Sequence, residues 1–229
     1  MCTLLFRHRP GDNYPLAVLS NRDEAYGRPS SGWDWREGPR PYFAPLDEVA
    51  GGTWIGFGET GVLAALTNVF PSLEGDDFRS RGSLVTEMLA LDSAKKARRR
   101  LRALLKEHRY NKFNLLVGDG LEAHMFTWAG DGLWEGRLNP GVYQVDNEPW
   151  DGQMLQQATG TNADWLEANS DRLKSHPDIC KHGKKYGTRS SSMMLLDGLN
   201  PRRSLVWHGD GPACKAAYVQ VLAPAKAEL

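Results

Sequence analysis

The sequence predicts an α+β fold with two antiparallel sheets and helices packed outside them. Three observations carry this. Short apolar runs pair across tight Gly/Asp/Asn turns, as hairpins do. The runs come in blocks (strands, helices, strands, a helix, strands) rather than in β-α alternation. No internal repeat breaks the order, so residues 1–229 read as one domain.

Taken in order, Cys2-Thr3-Leu4-Leu5-Phe6-Arg7 is a strand, Pro10-Gly11-Asp12-Asn13 a turn, and Leu16-Ala17-Val18-Leu19-Ser20-Asn21 a second strand. An antiparallel hairpin brings the start of the first beside the end of the second, so Cys2 neighbours Asn21-Arg22-Asp23-Glu24. On extended backbone Asn21 and Asp23 share one face, Arg22 and Glu24 the other. Residues 26–52 read as loop, broken by Pro29, Pro39, Pro41 and Pro45. Trp33, Trp35, Tyr42 and Phe43 make that stretch too apolar for a linker, so it is either a lid on a pocket or a flap completing the core.

Gly51-Gly52-Thr53-Trp54-Ile55-Gly56, Glu59-Thr60-Gly61 and Val62-Leu63-Ala64-Ala65-Leu66-Thr67-Asn68 form a second hairpin, with a run apolar enough to be buried on both faces. A short helix covers residues 83–91. Ser93 caps a longer one from Ala94 to about His108, whose apolar positions recur at helical spacing. Its basic residues (Lys95, Lys96, Arg98, Arg99, Arg100, Arg102) read as a solvated face, since they lack the interleaved aromatics on which bases stack. Residues 113–117, 122–128, 133–135 and 142–145 read as a four-strand meander, and 151–175 as helical with a break at Gly160, ended by His176-Pro177. Strands at 188–196, 204–208 and 217–222 and a terminal tail complete the chain.

Lys and Arg total 28, as do Asp and Glu, and this balance argues against a nucleic-acid binder. No apolar run approaches the roughly 18–20 residues of a membrane span. Three cysteines, an odd count without framework spacing, suit a reducing compartment, and the expected location is cytoplasmic. Oligomeric state is not legible.

Cys2 is the most informative residue. Once Met1 is removed, as a small second residue permits, Cys2 carries a thiol together with a free amine of unperturbed pKa roughly 7.7–8. That is a nucleophile with its own proton acceptor. Cys180 and His182 supply only two of the roughly four ligands of a structural zinc site, so no metal is expected. There is no C-x-x-C-H haem attachment motif, although non-covalent haem ligation by Cys2 or a histidine stays open.

Met1-Cys2, Asn21-Arg22-Asp23-Glu24, Gly51-Gly52-Thr53-Trp54, Leu66-Thr67-Asn68 and Tyr186-Gly187-Thr188-Arg189-Ser190 together resemble the NRDE family, also called the transport and Golgi organisation protein 2 family. That family looks like the N-terminal nucleophile hydrolases of the choloylglycine hydrolase and penicillin V acylase group. The resemblance implies a four-layer α-β-β-α sandwich. It also implies catalytic roles for Cys2 (nucleophile), Asp23 (orienting the nucleophile), Asn68 (oxyanion), Asn147 (nucleophile amine) and Arg189 (support). Those hydrolases carry an arginine three residues before the aspartate, where this chain has Ser20; Arg22 adjoins Asp23 instead. Arg22, Trp33, Trp35 and Trp54 are candidate ligand-binding residues.

Two functions follow as expectations. One is an amidohydrolase acting on a linear amide of a small acyl substrate, with no cofactor required. The other is a non-enzymatic carrier of haem or an acyl-CoA-type ligand, which the family's links to haem and lipid homeostasis imply.

Overall fold

The computed structural model describes residues 2–175 and 179–223. Two antiparallel sheets lie face to face, each with seven strands among the described residues. One holds β1 (Cys2–His8), β2 (Leu16–Ala25), β10 (Gly141–Val145), β11 (Gln156–Gln157), β12 (Tyr186–Leu196), β13 (Leu205–Asp210) and β14 (Val219–Leu222), in the order β11-β10-β1-β2-β12-β13-β14. The other runs in chain order through β3 (Ser30–Arg36), β4 (Tyr42–Asp47), β5 (Ile55–Gly58), β6 (Leu63–Asn68), β7 (Phe113–Gly118), β8 (Ala123–Trp128) and β9 (Leu133–Arg137).

Side-chain alternation builds four layers from these sheets. Leu4, Phe6, Leu16 and Val18 point inward and meet Phe43, Ile55, Phe57 and Leu116 of the other sheet. Leu5, Ala17 and Leu19 point outward and pack on Trp165, Leu166 and Leu173 of α3 (Asn162–Asn169) and α4 (Arg172–Ser175). The far face of the second sheet is covered by α1 (Arg81–Leu89) and α2 (Ala94–Glu107) through Leu84, Met88, Ala97, Leu101 and Leu104. This is the expected α-β-β-α sandwich. Ser93 caps α2 by accepting from the Lys96 amide. The basic face of α2 is spent on surface ion pairs, Arg98 and Arg102 with Glu135 and Arg100 with Glu87.

Four expectations are corrected. Residues 30–47 are not loop but the β3-β4 hairpin at a sheet edge. Pro29, Pro39 and Pro41 fall outside its strands, and Pro45 sits where the register slips between Ser31 and Asp34, so no proline has to donate to the ladder. The 113–145 meander is split: β7, β8 and β9 stay together, whereas β10 crosses to pair with β1. The 151–175 stretch begins with β11. Its helix starts only at Asn162, behind a capping box of Thr161 and Asp164. The Asn21–Glu24 tetrad lies within β2, which runs on to Ala25 because β12 pairs along its whole length. The His176-Pro177 stop and the tail from residue 224 lie outside the described residues.

His8, the last residue of β1, is 2% exposed, and burial pushes its imidazole down from 6.5 to about 4, with His124 and Arg137 pushing the same way. Protonating it costs the folded state more than the unfolded one. Stability is therefore intact above pH 6.5 and declines as pH falls toward 4, by about 3 kcal/mol in all. Urea unfolding at pH 7 and pH 4.5 tests this: the difference between the two should shrink in His8→Leu, and an unchanged pH dependence would rule out His8 as its source.

Candidate active site

The hairpin register sets Cys2 directly opposite Arg22, so both side chains leave the sheet on its inner face. They open on a cavity of about 500 Å³ lined also by Glu24, Arg28, Asp47, Thr53, Trp54, Asn68, Arg79 and Arg81. Burial pushes the Cys2 thiol up from its ordinary value and the Asp23 carboxylate adds to this, while a hydrogen bond from the Asp23 backbone and the charge of Arg22 pull the other way.

Asn147 is the hinge of the arrangement. It follows β10, and because β10 pairs with β1, Asn147 arrives beside Cys2: the Cys2 nitrogen donates to Asn147 Oδ1 at 3.0 Å. Its Nδ2 in turn donates to the Asn68 carbonyl at 2.6 Å. One buried carboxamide thus joins the first residue of one sheet to the last residue of β6 in the other. The segment carrying it is strapped down by Asn114 of β7. Asn114 Nδ2 donates to the Asp146 and Glu148 carbonyls, while its Oδ1 accepts from the Thr127 hydroxyl and the Trp150 amide. Thr67 adds a bond from its hydroxyl to the Asp146 carbonyl.

Asp23 has the parity opposite to Arg22. The Thr188 hydroxyl donates to its carboxylate at 2.6 Å, and burial raises the carboxyl's pKa. Asn21, on the same outer face, donates to the Leu173 and Ile179 carbonyls and ties the sheet to the outer layer. The tetrad therefore splits by parity, with Arg22 and Glu24 toward the cavity and Asn21 and Asp23 behind the strand.

Trp54 forms the floor, with the Arg22 guanidinium 4.3 Å above its ring. Of the glycines before it, Gly51 takes a left-handed φ of +70° and Gly52 has a steric reason. A Cβ on Gly52 would come within 2.6 Å of the Gly82 backbone, so the start of α1 can close on this strand only over glycine. That contact delivers Arg81 to the cavity wall.

Three expected residues stand elsewhere. Trp33 and Trp35 do not line the cavity. Trp33 is buried between the sheets with its indole donating to Ser192 at 3.0 Å, and Trp35 packs on Phe43 and Phe57 with Arg202 4.3 Å above it. The lid reading of that stretch gives way to the core reading, because alternation along β3 turns both indoles toward the intersheet core. Arg189 sits at the bulge between Thr188 and Ser190 and its guanidinium donates to the Tyr26 carbonyl, bracing the end of β2 rather than lining the cavity. Arg28, Arg79 and Arg81 were missed. Each is unremarked in its own stretch of sequence, and only the approach of α1 and β4 to β2 gathers them.

The family described as Transport and Golgi organisation 2 matches residues 1–176. The "Transport and Golgi organization 2 homolog" of Mus musculus is 32% identical over 170 residues, which take in 66% of this chain and 59% of the relative's own length. The Bos taurus homolog is 33% identical over 246 residues, 86% of this chain and 89% of the relative. Among solved structures, the C2A mutant of conjugated bile acid hydrolase from Clostridium perfringens superposes with TM-score 0.59 at 12% identity, covering 96% of this chain and 92% of that one. An N-acylethanolamine-hydrolyzing acid amidase ortholog from Caenorhabditis elegans gives TM-score 0.53 at 12% identity, over 90% and 99%. At such identities the likeness is one of fold.

Proposed function

This chain belongs to the Transport and Golgi organisation 2 family, and from that premise and its sandwich fold we propose that it is an N-terminal-cysteine amidohydrolase acting on an acyl amide that bears an anionic group. The observation that carries this is the Asn147 bridge: one carboxamide holds the nitrogen of Cys2 and the end of β6 at the mouth of a cavity. A thiol beside its own amine, with a carboxamide fixing that amine, is what acyl transfer by an N-terminal residue requires.

After removal of Met1 the Cys2 amine takes the thiol proton, and the sulfur attacks the amide carbonyl. The oxyanion that forms is held by the Asn68 carboxamide and a backbone N–H. The C–N bond then breaks, the leaving nitrogen takes the proton from the Cys2 ammonium, and a thioester remains. Water, deprotonated by the same amine, hydrolyses the thioester to a carboxylic acid and restores the thiol. Asn147 Oδ1 accepts from the amine throughout and so keeps its lone pair aimed at the reacting atoms.

The anionic preference comes from the arginines. Arg28 is paired with Asp47 at 2.7 Å and Arg79 with Glu87 at 3.1 Å. Arg22 and Arg81 instead bond to neutral partners, the Ser30 hydroxyl and the Lys112 carbonyl, with Glu24 the cavity carboxylate whose charge reaches both, and they are the cations we assign to the ligand's anionic group.

Intact mass of the purified protein, before and after a thiol-directed acylating probe, tests the reading. We expect loss of Met1, one adduct mapped to Cys2, and faster release of amine from amides carrying a carboxylate than from matched neutral ones. A folded protein that retains Met1 would overturn it, because the amine could not then serve as base; titration with haem and acyl-CoA would then address the carrier alternative.

A further inference from the structure

Away from the cavity, three side chains with metal-binding atoms converge. Cys180, His182 and Cys214 bring their sulfur and nitrogen atoms within 4.8 Å of one another. The His182 Nε2 lies 3.6 Å from Cys180 Sγ and 3.2 Å from Cys214 Sγ. A zinc ion with bonds of about 2.3 Å to sulfur and 2.0–2.1 Å to nitrogen would, in tetrahedral geometry, set sulfur and nitrogen about 3.6 Å apart. The observed separations are close to that edge before any ion has drawn them together.

The backbone arranges the set in advance. Lys181 exchanges bonds with Thr188, its amide donating to the Thr188 hydroxyl at 2.8 Å and its carbonyl accepting from the Thr188 amide at 3.0 Å, and His182 bridges to Gly187. Residues 180–182 are thereby held extended, which puts Cys180 and His182 on one side. The third ligand comes from a different segment: the turn after β13, closed by Lys215 and Ala216 amides donating to the Pro212 carbonyl, carries Cys214. Cys180 is buried, whereas His182 and Cys214 are exposed, so the set is anchored on one side and open to solvent on the other.

We propose that Cys180, His182 and Cys214 form a zinc(II) site in which two thiolates and one imidazole leave a fourth position to water. Thiolate and imidazole together suit a borderline d10 ion better than magnesium or calcium, which take oxygen. Binding displaces the two thiol protons to solvent and gives a site of no net charge. It also joins the turn after β13 to the segment entering β12, the strand whose Thr188 hydroxyl holds Asp23. The zinc therefore acts as a clasp behind the candidate active site.

The test is titration of the reduced, metal-free full chain with cobalt(II) as the visible substitute, followed by competition with zinc(II). We expect sulfur-to-cobalt charge-transfer absorption saturating at one ion per chain, displacement by zinc, and a thermal midpoint that rises with zinc. His182→Ala and Cys214→Ala, both at exposed positions and so tolerated by the fold, should each weaken binding by more than about a hundredfold, beyond what loss of an outer-shell partner alone costs. Absence of the charge-transfer band, or a band that forms in Cys214→Ala with unchanged affinity, would overturn the site. So would a chain that takes up no metal when reduced and whose Cys180 and Cys214 instead oxidise to a disulfide.

Discussion

Turnover of an acyl amide is expected to fall by at least about a thousandfold in Cys2→Ala, with the fold intact. No other group in the proposed sequence can form the thioester: Arg22, opposite on the inner face, is a cation, and Asn68 and Asn147 are amides. The structural cost is small. Cys2 is the first residue of β1 and only half-buried, and its backbone pairing with Arg22 does not involve the sulfur. The change in stability should stay below about 1 kcal/mol, the usual range for a substitution that makes no core cavity. Rates of amine release, with circular dichroism and urea unfolding as controls, decide the matter. Residual turnover above about a tenth of the original would show that the sulfur is not the nucleophile.

The second large effect is at Asn68. Asn68→Ala should lower kcat by about a hundred- to a thousandfold while KM changes little, since an oxyanion donor acts mainly on the transition state. The structure makes this substitution clean. Asn147 Nδ2 bonds to the backbone carbonyl of Asn68, not to its side chain, so alanine at position 68 leaves the bridge to Cys2 in place. Alkylation of Cys2 should accordingly proceed at its original rate. Asn147→Ala gives the contrasting pattern, because it releases both the Cys2 nitrogen and the end of β6. An Asn68→Ala protein that turns over as well as the original would remove that carboxamide from the mechanism.

The members of the tetrad at 21–24 face opposite ways. Arg22 and Glu24 line the cavity. Asn21 ties the strand to the outer layer through the Leu173 and Ile179 carbonyls, whereas Asp23 is held within the sheet by the Thr188 hydroxyl of the neighbouring strand β12. A substitution at 21 is thus expected to act by moving the strand that carries Arg22 and one at 23 by changing the charge felt by the Cys2 thiol, whereas one at 22 or 24 changes the cavity wall.

Much of the local order along the chain was legible by itself, although the proline-punctuated β3-β4 hairpin read as loop. The tight turn between Arg9 and Pro15 announces the first hairpin, Ser93 announces α2, and the apolar run ending at Asn68 announces β6, because turn chemistry, capping and side-chain alternation act over a few residues. A cysteine at position two is likewise a purely sequential fact, and its pairing partner follows from the hairpin. What the tertiary structure alone decided was the company each element keeps. β10 is buried on both faces, so its pattern reads the same whichever sheet it joins; only its pairing with β1 carries Asn147 to Cys2. Trp33 and Trp35 read equally as a lid or as a flap completing the core, because large aromatics cover a pocket and fill a core equally well, and the direction of β3 chose the core. The cavity arginines, and Cys214 beside Cys180 and His182, come from segments far apart in the chain. Their approach depends on burial summed over four layers, a quantity no short stretch of sequence contains.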